Sequence, residues 1–433
     1  MGLLSRATRR CSGRRRVSKS GQQDKPFMIP KQLVWEAYRR VKANKGAAGV
    51  DHVSMGEFEK DLRGNLYKIW NRMSSGTYFP PPVKAVEIPK SHGGTRILGV
   101  PTVGDRIAQT VVALQLEART ESIFHPDSYG YRPGKSAHDA LASCRERCWK
   151  GNWVVDLDIE KFFDSLDHDL VVRAVEANTD QKWVLLYVKR WLKAPLQMPD
   201  GTLRERDRGT PQGSAVSPVL ANLFLHYAMD SWLGQEFPSV EFERYADDAV
   251  LHCRTEYQAR KVRDALAVRL ESLGLRLHPG KTKIVYCRDA NRRGSYENTS
   301  FTFLGYEFRP RSAENRNGQL FTTFSPAIGP DALKAKGQQV RDWRIHKRVG
   351  SDLAELAAWI NPVVRGWMNY YGRFNRWEMY PLLRSINTYL MRWARKKFKR
   401  LSAYKRVKAW WKRLTGRQPE MFAHWAWMRA YTF

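Results

Sequence analysis

The chain has 433 residues, 42% of them hydrophobic and 12% aromatic, which is enough to bury a sizeable core and rules out wholesale disorder. Its 74 Lys and Arg against 43 Asp and Glu leave a net charge of +31, a field that favours a polyanionic partner over cationic ligands. Five scattered cysteines with no Cys-x-x-Cys pair argue against a disulfide framework or a four-thiolate zinc site.

Residues 1–29 read as a basic N-terminal arm, with seven Lys or Arg and no acid before Asp24. Such a segment suits contact with nucleic acid, and an organellar transit peptide shares its composition. Lys31 to Lys45 carries Leu33, Val34, Ala37, Tyr38 and Val41 at helical spacing, and the loop from Asn44 to Asp51 follows. Pro80 to Pro82 precede a hairpin, Val83 to Ile88 and Thr95 to Val100, turning at Ser91 to Gly94. Asp105 to Thr120 is helical. Cys144 and Cys148 lie four apart on one helical face, and no spaced histidines accompany them to make a metal site. Trp153 to Ile159 reads as a strand, Phe242 to Cys253 as two short strands around an Asp-Asp turn, and Arg260 to Leu273 as a helix. Leu275 to Val285 is extended, and Thr302 to Phe308 forms a further strand.

The order is α+β up to residue 310, and then composition shifts. From Lys334 to Arg417 there are 22 Lys or Arg against 4 Asp or Glu, and nine of sixteen tryptophans lie beyond residue 334. Leu382, Ile386, Leu390 and Trp393 share a helical face while Arg384, Arg392, Arg395, Lys396 and Lys399 lie elsewhere, so residues 325–433 read as a separate basic helical domain. The longest uncharged stretch, Gly209 to Met229, carries too many polar residues to span a membrane.

Two acidic elements stand out. Tyr245-Ala246-Asp247-Asp248 sets adjacent carboxylates in an apolar hairpin, where they repel each other unless a cation offsets both. Val155-Asp156-Leu157-Asp158-Ile159 places Asp156 and Asp158 on one face of a strand. If that strand lies beside the hairpin, carboxylates converge in a way that suits Mg2+ and phosphoryl transfer on a nucleic acid. Between them, residues 209–218 (GTPQGSAVSP) offer small residues for close backbone approach and an amide at Gln212.

The order of these segments resembles the reverse transcriptases, most specifically the group II intron-encoded reverse transcriptase/maturase family. The resemblance runs through KANKGAAGVD (42–51), IPKSHGGTRILGVPTVGDRIAQ (88–109), SYGYRPGKSAHDAL (128–141), DLDIEKFFDSLDH (156–168), GTPQGSAVSPVLANLFL (209–225), YADD (245–248), LRLHPGKTKIV (275–285) and FTFLGYEF (301–308). It implies a right-hand polymerase, with fingers mainly over 30–150, palm mainly over 150–310, and a C-terminal helical thumb or maturase domain. By the same resemblance Asp158, Asp247 and Asp248 are the catalytic metal ligands, joined by the Ile159 carbonyl, while Asp156 and Asp164 are structural. Two Mg2+ ions are implied, with Mn2+ able to substitute. Phe163 matches the aromatic gate against a ribose 2′-hydroxyl, and Lys90, Arg96, Gln212 and Lys281 match contacts to the incoming dNTP. Asn44, Lys45, Trp367, Tyr371, Arg395 and Lys396 are the implied RNA or template contacts, Trp367 and Tyr371 from GWMNYY (366–371).

The implied partners are a group II intron RNA or other RNA template, a DNA primer or target, and dNTPs, in a cytoplasmic ribonucleoprotein without a membrane. The HNH endonuclease found in longer family members is not expected. Two other readings stay open: an RNA-binding splicing maturase with vestigial polymerisation, or a domesticated relative in host defence or repair.

Overall fold

A computed structural model describes residues 25–89 and 94–428. Most of the basic arm, the hairpin turn and Lys90 therefore lie outside the described residues.

The N-terminal layer begins with α1 (Lys31–Ala43), which buries Val34, Ala37, Tyr38 and Val41, the positions its helical spacing selects. Next come α2 (Met55–Glu59), started by a Ser54/Glu57 capping box, and α3 (Leu62–Ser74). Strands β1 (Val83–Pro89) and β2 (Thr95–Val100) form the expected antiparallel hairpin. Helix α4 (Val103–Thr120), capped by Thr102, is apolar on most sides and runs through the core against α1 and α3.

The centre is built from α5 (Ala137–Lys150), β3 (Trp153–Asp158), α6 (Phe162–Ser165), α7 (His168–Glu176) and α8 (Lys182–Lys193). It continues through the two-residue strands β4 (Leu196–Gln197) and β5 (Leu203–Arg204), then α9 (Ser217–Leu225) and α10 (Ser231–Glu236). The hairpin β6 (Glu241–Tyr245) and β7 (Asp248–Cys253), helix α11 (Glu256–Glu271) and β8 (Lys283–Tyr286) complete it. The central sheet is antiparallel in the order β6-β7-β3-β8, and a second sheet runs β2-β1-β4-β5. Period-two alternation divides the central sheet. Val155, Leu157, Ala249 and Leu251 enter the large core with α9 and α11, while Val154, Val250 and Val285 pack with α5 in a smaller cluster.

Two expectations need correcting. The extended run Leu275 to Val285 is a strand only from Lys283, because residues 278–282 turn, with Lys281 and Thr282 N–H groups both donating to the His278 carbonyl. The strand Thr302 to Phe308 is a hairpin: Leu304 and Gly305 adopt φ of +52° and +78°, reversing the chain between β9 (Phe301–Phe303) and β10 (Tyr306–Glu314). With β11 (Leu320–Ile328) they make a third sheet.

The C-terminal region is helical: α12 (Pro330–Asp342), α13 (Leu353–Tyr371), α14 (Tyr380–Lys397), α15 (Tyr404–Arg417) and α16 (Trp425–Met428). Leu382, Ile386, Leu390 and Trp393 enter its core, and Arg384, Arg392, Arg395, Lys396 and Lys399 stay exposed. No helix among the described residues is long and apolar enough to cross a membrane.

Candidate active site

The same alternation that buries Val154 and Val250 sets Asp156, Asp158 and Asp248 on one face of the sheet. Register then pairs Asp158 directly with Asp248 across β3 and β7. Opposed residues on neighbouring strands hold their Cβ atoms about 4.5–5.5 Å apart. Asp247 lies in the turn between Tyr245 and Asp248, which pair with each other. Three carboxylates from two chain segments thus meet at the end of the sheet.

Burial and mutual repulsion outweigh the nearby cations at these carboxylates. Burial pushes the Asp248 carboxyl well above its ordinary value, Asp156, Asp247 and Asp158 push it further, and a hydrogen bond from the Leu304 N–H opposes them. Burial also raises Asp247, with Arg244 and Lys281 pulling the other way. Asp156 is pushed up to about 7 by burial, against the attraction of Lys283. The Lys281 Nζ lies 3.1 Å from Asp158 Oδ2, but that lysine is mostly exposed and reaches only the outer edge. Clustered oxygen donors that repel one another and are only partly offset by these side chains fit hard divalent cations.

The Asp-Asp turn rests on a buried cation. Arg244, fully buried, donates through Nε and Nη2 to both oxygens of Asp230 (2.7 and 2.6 Å), and through Nη1 to Asn222 Oδ1 and the Ala246 carbonyl, each at 3.0 Å. Asn222 in turn donates to the Gly130 carbonyl at 2.6 Å. Gly130 passes so close beneath the turn that a Cβ there would stand 2.4 Å from the Ala246 nitrogen, so no larger residue fits. A buried, bidentate Arg–carboxylate pair fixes geometry more strictly than an exposed one.

The small-residue loop at 209–217 is tied to both neighbours. Thr210 N–H donates to the Phe163 carbonyl and Gly99 N–H to the Gln212 carbonyl, both at 2.7 Å. Gln109 accepts from Ser214 Oγ and Ala215 N–H (2.8 Å each), and its own amide donates to buried Asp105 at 2.8 Å. Asp105 also accepts from Tyr78 and Trp191, both at 2.8 Å. Burial lifts its carboxyl to about 6 despite these bonds. The Phe163 backbone is therefore tied to the loop that carries Gln212, and Arg96 stands exposed on β2 opposite Ile88. Ile159 is buried and bridges to Leu277.

Of the expected RNA contacts, Asn44 and Lys45 are exposed on the loop after α1, and Arg395 and Lys396 on α14. Trp367 and Tyr371 lie further inside. Trp367 is 7% exposed and stacks on Trp343 at 5.5 Å with the rings 1° from parallel, a core position. Tyr371 is half-buried, with its ring packed near Tyr306. Aromatic residues amid Lys and Arg look alike in sequence whether they face RNA or the interior.

Sequence reasoning passed over Arg244, Asp230, Asn222 and Gln109, although Gln109, Asn222 and the neighbour of Arg244 all fall inside quoted motifs. The buried Cys144, Glu243 and His252 bring ligand atoms within 4.8 Å of one another. Both Glu243 oxygens are already engaged, by Arg147 Nη1 at 2.5 Å and His252 Nε2 at 2.6 Å. Burial alone would lower His252, but Glu243 and Cys148 hold it up at about 10, and the cluster reads as an internally balanced ion pair.

Comparison with known proteins agrees with this geometry. Residues 88–308 match the family described as reverse transcriptase (RNA-dependent DNA polymerase), and residues 333–411 match the group II intron maturase-specific domain. The chain is 32% identical to Protein YkfC of Escherichia coli (strain K12) over 320 residues, covering 64% of this chain and 80% of that protein. It is 30% identical to the group II intron-encoded protein LtrA of Lactococcus lactis subsp. cremoris over 223 residues, covering 49% of this chain and 36% of that one. The putative COX1/OXI3 intron 1 protein of Saccharomyces cerevisiae is 30% identical over 201 residues, 46% of this chain and 23% of its own length. Fingers-and-palm elements built around paired aspartates, followed by a maturase-type helical region, place the chain in the group II intron reverse transcriptase/maturase family.

Proposed function

We propose that this chain is an RNA-directed DNA polymerase that adds dNTPs to a primer 3′-hydroxyl, with Asp158, Asp247 and Asp248 as its metal ligands. The observation that carries the reading is the register pairing Asp158 with Asp248, beside Asp247 in a turn clamped from below by Arg244. The partly buried, mutually repelling carboxylates fit Mg2+, and Mn2+ has the same preference for oxygen donors. When bound, a pair of such ions activates the attacking hydroxyl and stabilises the leaving pyrophosphate.

The chain's own residues do the rest. Lys281, beside Asp158, carries a mobile positive charge to the edge where phosphate would leave. Arg96 and Lys90 supply cations for a triphosphate, and a hairpin suits a site that must close and reopen. Phe163 crowds the sugar, and its carbonyl bond to Thr210 sets its height against the Gln212 loop. The exposed basic residues Arg395 and Lys396, with Asn44 and Lys45, carry the contacts to template or intron RNA, because phosphate neutralisation dominates such affinity. The same surface supports a splicing role on a group II intron, in a ribonucleoprotein.

Primer extension on an RNA template with dNTPs and Mg2+ tests the reading. The parent extends the primer, and Asp247→Ala with Asp248→Ala abolishes extension while leaving primer–template binding intact. Full extension by the double variant contradicts the site.

A further inference from the structure

Helices α7 and α8 each carry two stripes. One faces the large core, where Val171 and Val175 of α7 and Val184, Val188 and Trp191 of α8 are buried. The second stripe repeats at the same spacing: Asp169, Val172, Arg173 and Glu176 on α7, and Leu186, Lys189, Arg190 and Lys193 on α8. It lines an open cavity of about 750 Å3, to which Phe79 adds a further wall. That volume is in the range of pockets that enclose a ligand. None of the residues given a role in polymerisation lines it.

The floor is apolar. Val172 and Leu186 are half-buried against the large core, and Phe79 is 70% exposed. Phe79 turns outward because its neighbour Tyr78 is buried, its hydroxyl bonded to Asp105 at 2.8 Å. Arg190 holds the outward ring. Its guanidinium carbon lies 3.8 Å from the ring centroid, and its Nη1 donates to the Gly76 and Tyr78 carbonyls at 2.9 and 2.5 Å. An aromatic ring fixed in this way loses little freedom on binding.

The rim is positive. Lys189 is paired with Glu176 at 3.2 Å, and Arg190 is engaged by Phe79 and the two carbonyls. Arg173 and Lys193 are exposed and have no ion-pair partner among the described residues.

We propose that this cavity is a docking site for an acidic peptide of a partner protein. Large apolar side chains of the peptide lie on Val172, Leu186 and Phe79, and its carboxylates meet Arg173 and Lys193. Charge complementarity selects this occupant. The chain's own basic N-terminal arm has the rim's sign, and a second copy with a net charge of +31 is repelled as a whole. A phosphodiester chain is drawn by continuous positive charge, which Asp169 and Glu176 interrupt, and its backbone gains nothing from an apolar floor.

Fluorescence anisotropy of a fluorescein-labelled DDFLDD peptide with the full chain, in about 150 mM salt to screen non-specific attraction, tests the proposal. DDFLDD should bind at least about 10-fold more tightly than DDAADD, because two large side chains supply the apolar contact. Arg173→Glu combined with Lys193→Glu should weaken DDFLDD at least about 10-fold, and Phe79→Ala by a similar factor. Primer extension on an RNA template should stay within about twofold of the parent in both variants, which lie outside the polymerase site. Equal affinity for DDFLDD and DDAADD overturns the proposal, as does undiminished DDFLDD binding by the charge-reversed variant. An oligothymidylate that loses as much affinity as the peptide in both variants assigns the surface to nucleic acid and overturns it too. All three substituted positions are exposed, and should Phe79→Ala fail to fold, the charge-reversed pair and the DDAADD comparison decide.

Discussion

Asp248 shows the conflict between stability and chemistry at a single residue. Burial and three nearby carboxylates oppose its charge, so its folded-state value stands well above the ordinary one. The sign follows from linkage. Between about pH 4 and the raised value the folded chain binds more protons than the unfolded one, so metal-free stability falls as pH rises through that window. Asp248→Asn removes this charge and keeps the size of the side chain. In EDTA at neutral pH its thermal midpoint should exceed the parent's by roughly 2–4 °C, the shift that about 1 kcal/mol produces in a large domain. The gain should shrink as pH falls, and Mg2+ should raise the parent's midpoint more than the variant's. A variant less stable than the parent in EDTA contradicts this account of the site.

At the scale of elements, the helices and strands with plain periodicity were legible: α1, α4, the β1–β2 hairpin, β3 and the β6–β7 pair lie close to where apolar spacing puts them. The expected strand at Thr302 to Phe308 failed because its pattern is apolar on both sides of a left-handed turn, and apolar runs do not report φ. Asp158, Asp247 and Asp248 were legible as a pattern, but their convergence depends on register, which a single strand does not carry. Arg244 and Gln109 were not legible, since a buried ion pair and a buried amide look like surface residues until their partners across 14 and 105 residues are known. Phe163 belongs to this scale because α6 and the 209–217 loop are stitched together by the Phe163–Thr210 and Leu166–Gly209 backbone bonds, at 2.7 Å each. The ring can therefore be removed without moving the loop. Phe163→Ala should lower discrimination between dNTPs and rNTPs by about 10-fold or more, measured as the ratio of kcat/KM values, a change of roughly 1.4 kcal/mol. Unchanged discrimination would remove Phe163 from the gate.

For the whole molecule, the charge of +31 marks a polyanion binder without saying which surface binds. The fold sorts the positive charge: on α14 and α15 the apolar residues face inward and Arg395, Lys396, Lys405, Arg406, Lys412 and Arg413 face solvent. Part of the C-terminal aromatic content belongs to the core of that region, Trp393, Trp411 and Trp425 among it. Three of the acids, Asp158, Asp247 and Asp248, meet at one end of the central sheet. The central claim is that Asp158, delivered by a different strand from Asp247 and Asp248, completes one metal site for RNA-templated DNA synthesis. Single-turnover dNTP incorporation by Asp158→Asn on an RNA template, with primer–template affinity measured alongside, tests it most directly. The account predicts a rate at least about 1,000-fold below the parent's with affinity within a few-fold, as loss of a group acting in the transition state requires. Incorporation within tenfold of the parent's rate would contradict it.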